Sequence, residues 1–413
     1  MRSLRVLCVS YLIPRGDDQY QGALVMGFKK VAGQYRTALF DDVIPFWQKH
    51  SIDREHGGFF TCLNRDGSVF DTDKFVWLQA RQMWMFSLLY NRVEQKQEWL
   101  DIAHFGADFL KRYGRADDGS WYFSLTREGR PLIQPFSIFS DCFAALAYQE
   151  YGEATNSEAA KLISYRTFQG ILKRMDNPKR EWNKSVPGTR PMRSLAVPMI
   201  TANLTQELMP LLDEEQGEET IRTCVNDILT VHLDKEMGIL RESVAPDGSV
   251  IDSIEGRTIN PGHGIEATWF VMSLAEQRFD RSTIEKAVDI LLKTVEYGWD
   301  TEFGGIYYFM DSAGHPPGAL EWNQKLWWVH LEALVALLMA YRLTSRRDCL
   351  AWYERVHDWT WSHFPDPEFG EWWGYLDRRG EVLTPMKGGK WKGCFHVPRG
   401  LYLCMRECEK LIR

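Results

Sequence analysis

The chain has 413 residues, of which 45% are hydrophobic and 25% charged, and its net charge is -7. These fractions are those of an ordinary globular protein, and the negative charge argues against nucleic-acid binding. No apolar run approaches the roughly 18 residues that a membrane-spanning helix needs.

The tryptophan and cysteine content narrows the class of protein further. The 17 tryptophans either fill a large helical core or line a sugar-binding cleft, because aromatic faces pack well in both settings. The eight cysteines include no C-x-x-C pair, so we interpret the thiols as reduced core residues of a cytoplasmic protein.

The N-terminal segment differs from the rest of the chain. Residues 1–13 form an apolar stretch that Arg5 interrupts, with no clear signal-peptide cleavage site behind it. We predict that residues 1–27 are an extension, disordered or produced by a misassigned start, since the regular pattern begins just after Met26. Residues 28–413 are predicted to form a single catalytic domain.

Five short segments repeat one pattern: an acidic residue, one or two glycines, a strand-forming run and a turn that contains glycine. They are marked by Gly57, Gly119, Gly238, Gly304 and Gly370. The intervals are about 60 residues, except for one of about twice that length, where residues 176–188 supply a degenerate sixth copy. Each copy is predicted to be a β-hairpin.

Helix-length runs fill the intervals, usually two in each. They lie near residues 28–50, 75–94, 97–113, 137–154, 157–175, 194–211, 215–233, 262–279, 281–297, 324–343, 346–363 and 394–412. Twelve helices and six hairpins predict an all-α fold, an (α/α)6 barrel with the hairpins at one mouth. The even-numbered helices are the more apolar, so we expect them to form the inner ring.

Two histidines stand at predicted helix starts. Asn260 is a good N-cap and Pro261 suits a first turn, which places His263 and Glu266 on one face of the eighth helix. His396 opens the twelfth helix. Imidazole is the side chain best suited to moving protons near neutral pH, so the pair is a candidate acid/base couple. The alternative is two core histidines satisfied by backbone groups.

Other charged residues fall on predicted inner helices as well. Arg81 and Glu332 lie on helices two and ten, and Arg399 follows one turn after His396. Buried charges are costly unless they are paired or used, so this clustering predicts a polar cavity at the mouth. Arg81 would stabilise negative charge on a substrate oxygen, or form a structural salt bridge, for example with Glu332.

Two further readings are weaker. A metal site of His263, Glu266 and His396 is conceivable, but we expect no metal. The basic, glycine-rich loop at residues 387–393 resembles a phosphate-binding loop, yet it lacks the G-x-x-x-x-G-K-[ST] form, so we expect a solvated loop.

Several motifs together resemble the N-acylglucosamine 2-epimerase family, whose animal members are also known as renin-binding proteins, and the chain looks closest to cyanobacterial members. The matching stretches begin near Phe40 and include Gly57-Gly-Phe-Phe-Thr-Cys-Leu, Lys74-Phe-Val-Trp-Leu-Gln-Ala-Arg, Asn260-Pro-Gly-His-Gly-Ile-Glu-Ala, Leu326-Trp-Trp-Val-His-Leu-Glu and Lys392-Gly-Cys-Phe-His-Val-Pro-Arg.

The resemblance implies interconversion of N-acetyl-D-glucosamine and N-acetyl-D-mannosamine on an (α/α)6 barrel. The family's essential arginine, two histidines and glutamate match Arg81, His263, His396 and Glu332. Positions that line the sugar site match Glu266 and Arg399. The resemblance also implies a homodimer and activation by ATP that is not consumed, for which Lys184 is a candidate contact.

Alternatives remain open. Related branches isomerise mannose to fructose or epimerise cellobiose on the same site, and they carry a further histidine on helix six that is absent here. A glycoside hydrolase would need two carboxylates that flank a cleft. A protein-binding (protease-binding) role is the alternative from a different class.

Overall fold

The computed structural model describes residues 18–179, 184–186 and 188–413, and it confirms the (α/α)6 barrel. The first helix, α1, covers Asp18–Thr37 and continues through a π-helical turn at Ala38–Val43 into Ile44–His50. The others are α2 Val76–Arg92, α3 Gln97–Tyr113, α4 Phe139–Thr155, α5 Glu158–Leu172, α6 Ala196–Leu208, α7 Glu214–Asn226, α8 Pro261–Gln277, α9 Arg281–Gly298, α10 Trp327–Thr344, α11 Arg347–His363 and α12 His396–Ile412.

The start of α1 differs from the expectation. It lies at Asp18 rather than near residue 28, and no proline interrupts the chain between Pro14 and Pro45, so nothing in the sequence stops the helix from extending backwards. Residues 1–17 lie outside the described part of the chain.

The even-numbered helices form the inner ring, as predicted. They contact one another in order from α2 to α12. Trp84 on α2 meets Phe395, which precedes α12, with ring centroids 5.3 Å apart, and this contact closes the ring. Residues 327–340 of α10 are all buried, because neighbours surround the helix on every side. In the described part of the chain, no helix combines the length and apolarity needed to cross a bilayer.

Short strands gather at the end of the barrel where the inner helices begin. They are β1 Cys62–Leu63, β2 Val69–Asp71, β3 Lys74–Phe75, β4 Ser124–Leu125, β5 Pro131–Ile133, β6 Arg193–Ser194, β7 Leu233–Asp234, β8 Ile239–Leu240, β9 Ser243–Val244, β10 Thr258–Ile259, β11 Met310–Asp311, β12 Lys325–Leu326, β13 Tyr375–Leu376 and β14 Val382–Thr384.

Strand pairing follows two rules. Antiparallel hairpins form between β1 and β2, β4 and β5, β7 and β8, and β13 and β14. In addition, the strand before an inner helix pairs with a strand of a later repeat: β3 with β4, β6 with β9, β10 with β11, and β12 with β13.

Two predicted hairpins differ from the expectation. In the fourth repeat the turn at Gly248 forms as predicted, but β9 pairs with β6, and the strands of the hairpin are joined one turn earlier, at Gly238, where φ is +71°. In the fifth repeat, β11 pairs with β10 instead of folding back on its own repeat. The degenerate copy at residues 176–188 lies partly outside the described residues.

Three clusters built on a buried aspartate–lysine pair, which we call the mouth triads, join neighbouring repeats. In each, an aspartate accepts hydrogen bonds from the lysine that precedes an inner helix and from an arginine of another hairpin. The clusters are Asp53 with Lys74 and Arg127, Asp300 with Lys325 and Arg378, and Asp366 with Lys387 and Arg65. The last of them links the first hairpin to the last and so ties the two ends of the barrel together.

Ion pairs at the opposite end, which we call the floor pairs, join the C-terminal halves of the inner helices in two sets of three. Arg92 contacts Glu150 and Glu207, which lie on α4 and α6. Arg342 on α10 contacts Glu276 of α8 and Glu407 of α12. Ion pairs therefore stabilise the inner ring at both ends of the barrel.

Candidate active site

The six residues singled out from the sequence all lie in the first or second turn of inner helices, at the end that carries the hairpins. Since these turns converge on the mouth, side chains from four helices meet there. They are Arg81 on α2, His263 and Glu266 on α8, Glu332 on α10, and His396 and Arg399 on α12.

Glu332 is the centre of a buried hydrogen-bond network. Its Oε1 lies 2.8 Å from Nδ1 of His396 and 2.5 Å from Nη2 of Arg399. Its Oε2 accepts a hydrogen bond of 2.8 Å from the indole of Trp269. A carboxylate is an acceptor only, so His396 carries its proton on Nδ1 and presents Nε2 as a free acceptor.

The charges around this network determine the protonation states of His396 and Glu332. Burial lowers the pKa of His396, and the positive charges of Arg81 and Arg399 add to the effect, so that it falls to about 3 despite the bond to Glu332. Burial would raise the pKa of Glu332, but Arg399 and His396 outweigh it and hold the pKa below its ordinary value. The pair therefore consists of a neutral imidazole and a carboxylate.

Arg399 takes the place that a cation would occupy. Oxygen or nitrogen atoms of Glu266, Glu332 and His396 lie within 4.8 Å of one another, which is the spacing of a metal site. Nη2 of Arg399 donates to Glu266 at 2.9 Å and to Glu332, and it lies 3.4 Å from Nδ1 of His396. The guanidinium thus compensates both carboxylates within the protein.

Arg81 lies in an aromatic cage. The carbon at the centre of its guanidinium lies 3.9 Å from the ring centroid of Phe143, 4.3 Å from that of Trp77 and 4.5 Å from that of Phe395. Its Nε is buried without a hydrogen-bond partner, and none of the described residues forms an ion pair with it. The salt bridge with Glu332 that was one reading of Arg81 is made by Arg399 instead. A buried, unpaired cation is suited to receiving negative charge from a bound molecule.

His263 forms a second histidine–glutamate pair. Its Nδ1 lies 2.8 Å from Oε2 of Glu242, which follows strand β8. Asn260 caps the helix as predicted, accepting from the backbone N–H of His263 at 3.2 Å. Burial would lower the pKa of His263, but Glu242 and Glu266 outweigh it and raise the pKa above its ordinary value. His263 is thus biased towards the imidazolium form, unlike His396.

Trp328 brings the two histidines together. The centroid of its ring lies 5.4 Å from that of His263 and 5.8 Å from that of His396. Both imidazoles therefore contact one indole at the mouth of the barrel. Glu242 was not singled out from the sequence, and Trp328 was noted only as part of the Leu326-Trp-Trp-Val-His-Leu-Glu motif. For Glu242 the available signal was the Arg241-Glu242 pair, which interrupts an otherwise apolar strand run.

Other sequence readings have clear outcomes. His330 is structural: its Nε2 accepts a hydrogen bond from the backbone N–H of Ile306 and its Nδ1 donates one to the backbone carbonyl of Leu326.

The seven cysteines in the described ranges are buried and free, as expected. The expectation of a solvated loop at residues 387–393 is wrong for Lys387 and Lys392, because both are buried in ion pairs with acidic residues. Lys184 lies within the described residues and is exposed.

Two open grooves lie away from these residues. A groove of about 1180 Å³ is lined by residues of α7, α8 and α9, among them Ile221, Leu274 and Lys286, and one of about 600 Å³ adjoins it. Both face the outside of the barrel, so neither competes with the mouth as the place where the polar side chains converge.

Comparison with known proteins assigns the family. The sequence profile of the N-acylglucosamine 2-epimerase (GlcNAc 2-epimerase) family matches residues 58–397. The N-acylglucosamine 2-epimerase of Mus musculus is 40% identical over 389 residues, which cover 90% of each chain. The human protein of the same name is 38% identical over 410 residues, covering 96% of this chain and 93% of its own.

More distant structures share the fold. The cellobiose 2-epimerase of Spirochaeta thermophila superposes with a TM-score of 0.80 at 22% identity, over 94% of this chain and 98% of its own. A D-mannose isomerase superposes with a TM-score of 0.77 at 18% identity, over 96% and 100%. The profile match and the relatives at about 40% identity extend over most of the chain, which therefore belongs to the N-acylglucosamine 2-epimerase family.

Proposed function

We propose that this protein interconverts N-acetyl-D-glucosamine and N-acetyl-D-mannosamine by removing and returning the proton on C2. The observation that carries the proposal is the pair of histidines, each bonded through Nδ1 to a glutamate and both packed on Trp328. Inversion at one carbon needs a base on one face and an acid on the other, and two imidazoles of opposite bias supply them.

The proposed reaction consists of two proton transfers. Nε2 of the neutral His396 takes the C2 proton of the open-chain sugar, and the electron pair of the broken C–H bond moves towards the C1 carbonyl, giving an enolate. The unpaired guanidinium of Arg81 stabilises the oxygen anion that develops. His263 then donates its proton to C2 from the other face. The reverse reaction exchanges the two roles, while Glu332 orients His396.

Arg399 and Glu266 hold the sugar in this proposal. They form an ion pair of 2.9 Å next to His396, at the mouth of the barrel, and so present both donors and acceptors to hydroxyl groups. Arg399 also forms an ion pair with Glu332, which in turn contacts His396. A sugar hydroxyl that contacts Arg399 is therefore coupled to the base, His396.

An aldose–ketose isomerase is the closest alternative, since removal of the C2 proton from an aldose with a C2 hydroxyl gives an enediolate, which can be protonated on C1. The sequence of α6, AVPMITANLTQEL, has no histidine, whereas the isomerising and cellobiose-epimerising branches are expected to carry one there. This difference favours the acetamido sugar, and incubation with mannose followed by an assay for fructose separates the two reactions.

We also propose that ATP activates the enzyme without being consumed, that the protein is a homodimer and that it is cytoplasmic. These proposals rest on the family membership, on the exposed Lys184, which follows Lys179 and Arg180 in the sequence, and on the free thiols of the described residues. The enzyme itself needs no consumed cofactor or metal in this scheme.

Proton NMR in deuterium oxide tests the proposal. N-acetylmannosamine is incubated with the protein, with and without ATP. We expect N-acetylglucosamine that carries deuterium at C2, formed faster with ATP. The His396→Asn variant should form no product, whereas the matched His104→Asn variant on outer helix α3 should retain activity. Product without deuterium at C2, or activity in His396→Asn, would refute the mechanism.

A further inference from the structure

We propose that Glu242 is a positioning residue that holds His263 in the orientation and charge state of the proton donor. The inference rests on the proposed function and concerns a residue outside the family motifs noted above. Its basis is the 2.8 Å contact between Oε2 of Glu242 and Nδ1 of His263, the counterpart of the contact between Glu332 and His396.

The backbone of Glu242 is fixed by its neighbours. Its carbonyl accepts from the N–H of Leu195, at the β6–β9 pairing, and the preceding N–H, that of Arg241, donates to His232 at 2.8 Å. The side chain of Arg241 is bonded to Asp234 on the same hairpin. The carboxylate of Glu242 is therefore presented from a braced turn, which is what orientation of an imidazole requires.

The surrounding charges make the two histidine–glutamate pairs unequal. His263 faces Glu242 on the hairpin, Glu266 on its own helix and the indole of Trp328 on α10. His396 faces Arg81 and Arg399 as well as Glu332. Groups near Glu242 itself are His232, Tyr308, the Ser194 hydroxyl and Arg193, which is paired with Asp227. His263 thus has carboxylates and no arginine among these charged neighbours, whereas His396, whose ring lies within 4.8 Å of a Glu266 oxygen, has two arginines as well as two carboxylates.

The proton donated to Glu242 sits on Nδ1 of His263, so the proton on Nε2 is the one available to substrate. Without the carboxylate, the imidazolium loses its counter-charge and the pKa of His263 falls. Because the donor must be protonated, activity would then be lost at a lower pH than in the wild type. The enolate would also be protonated preferentially by His396.

The experiment uses Glu242→Gln with Glu276→Gln as the matched control, since Glu276 is a partly buried, arginine-paired glutamate at the far end of the barrel. For Glu242→Gln we expect kcat to fall about tenfold or more and the basic limb of the kcat/KM profile to move to lower pH. Glu242→Asp, which keeps the charge, should keep the basic limb near its wild-type position. Glu276→Gln should leave both unchanged.

Deuterium partitioning gives a readout that a purely structural role would not move. In Glu242→Gln, the ratio of label in recovered substrate to label in product should rise for the epimer that His396 deprotonates and fall for the other epimer. An unshifted basic limb together with unchanged ratios would overturn the role of Glu242. If the wild type itself places no deuterium at C2, the proposed function fails instead, so the two failures are distinct.

Discussion

Arg81 and Arg399 are only a few ångströms from the same aromatic ring, that of Phe395, yet their partners differ. The guanidinium of each lies 4.5 Å from that ring. Arg399 is neutralised by Glu266 and Glu332, whereas Arg81 packs against aromatic faces and forms no ion pair with any described residue. One arginine is therefore part of the protein's own charge balance, and the other has charge to offer to a ligand.

The substitution Arg81→Lys tests whether the charge of Arg81 acts on a bound ligand. A lysine keeps the charge but loses the planar donors that stack between Phe143 and Trp77. We expect kcat to fall by about 10²- to 10³-fold, the effect of removing one donor to a developing oxyanion, with little change in KM.

The matched control is Arg115→Lys, an exposed arginine 5.6 Å from the ring of Trp121, which should keep wild-type kinetics. A fall in kcat/KM that comes entirely from KM would instead assign Arg81 to ground-state binding.

At the scale of the element, the start of α8 is built around a close approach. A Cβ added at Gly262 would lie 2.5 Å from the ring of Trp328, and Trp328 is the residue that contacts both histidines. Helix α8 can therefore pack on α10 only with glycine at this position.

Gly262→Ala should consequently displace Trp328. We expect a loss of about 1–3 kcal/mol of unfolding free energy from overpacking, together with a fall in kcat/KM, measured by urea unfolding and by the epimerase assay. Gly170→Ala on outer helix α5, where an added Cβ meets nothing within 4 Å, should be neutral or stabilising. Equal effects of the two substitutions would show that the contact with Trp328 is unimportant.

The helices were predictable from the sequence because the repeat of about 60 residues sets their number and the apolar content distinguishes the two rings. Strand pairing was less predictable. The sequence shows where a turn can form, as at Gly248, but not that β6 takes the partner strand. The roles of Glu242 and Arg399 depend on distances between repeats, which a single sequence does not contain.

At the scale of the whole molecule, the mouth triad of Asp366 holds the first and last hairpins together. Arg65 donates to Asp366 at 2.9 Å, and Nζ of the fully buried Lys387 lies 2.8 Å away. These partners hold the pKa of Asp366 below its ordinary value, against the effect of burial. Stability from this group is therefore complete above the unfolded pKa of about 4 and is lost as the pH falls towards the folded value.

Asp366→Asn should leave Lys387 buried without its counter-charge and cost about 3 kcal/mol of unfolding free energy at neutral pH. It should also weaken the pH dependence of stability below about pH 4, measured by urea unfolding across pH. Glu368→Gln removes the exposed second partner of Arg65 and should shift the urea midpoint little. A neutral Asp366→Asn would mean that the closure does not depend on this triad.

Closure of the ring by its two ends also sets an order of events during biosynthesis. His396 and Arg399 lie on α12, the last inner helix of the barrel to be synthesised, whereas Glu332 and Glu266 lie on helices made earlier. Until α12 has left the ribosome, a nascent chain therefore holds two carboxylates without their arginine partner, together with several apolar inner helices. The site becomes competent for proton transfer only after α12 has joined the ring.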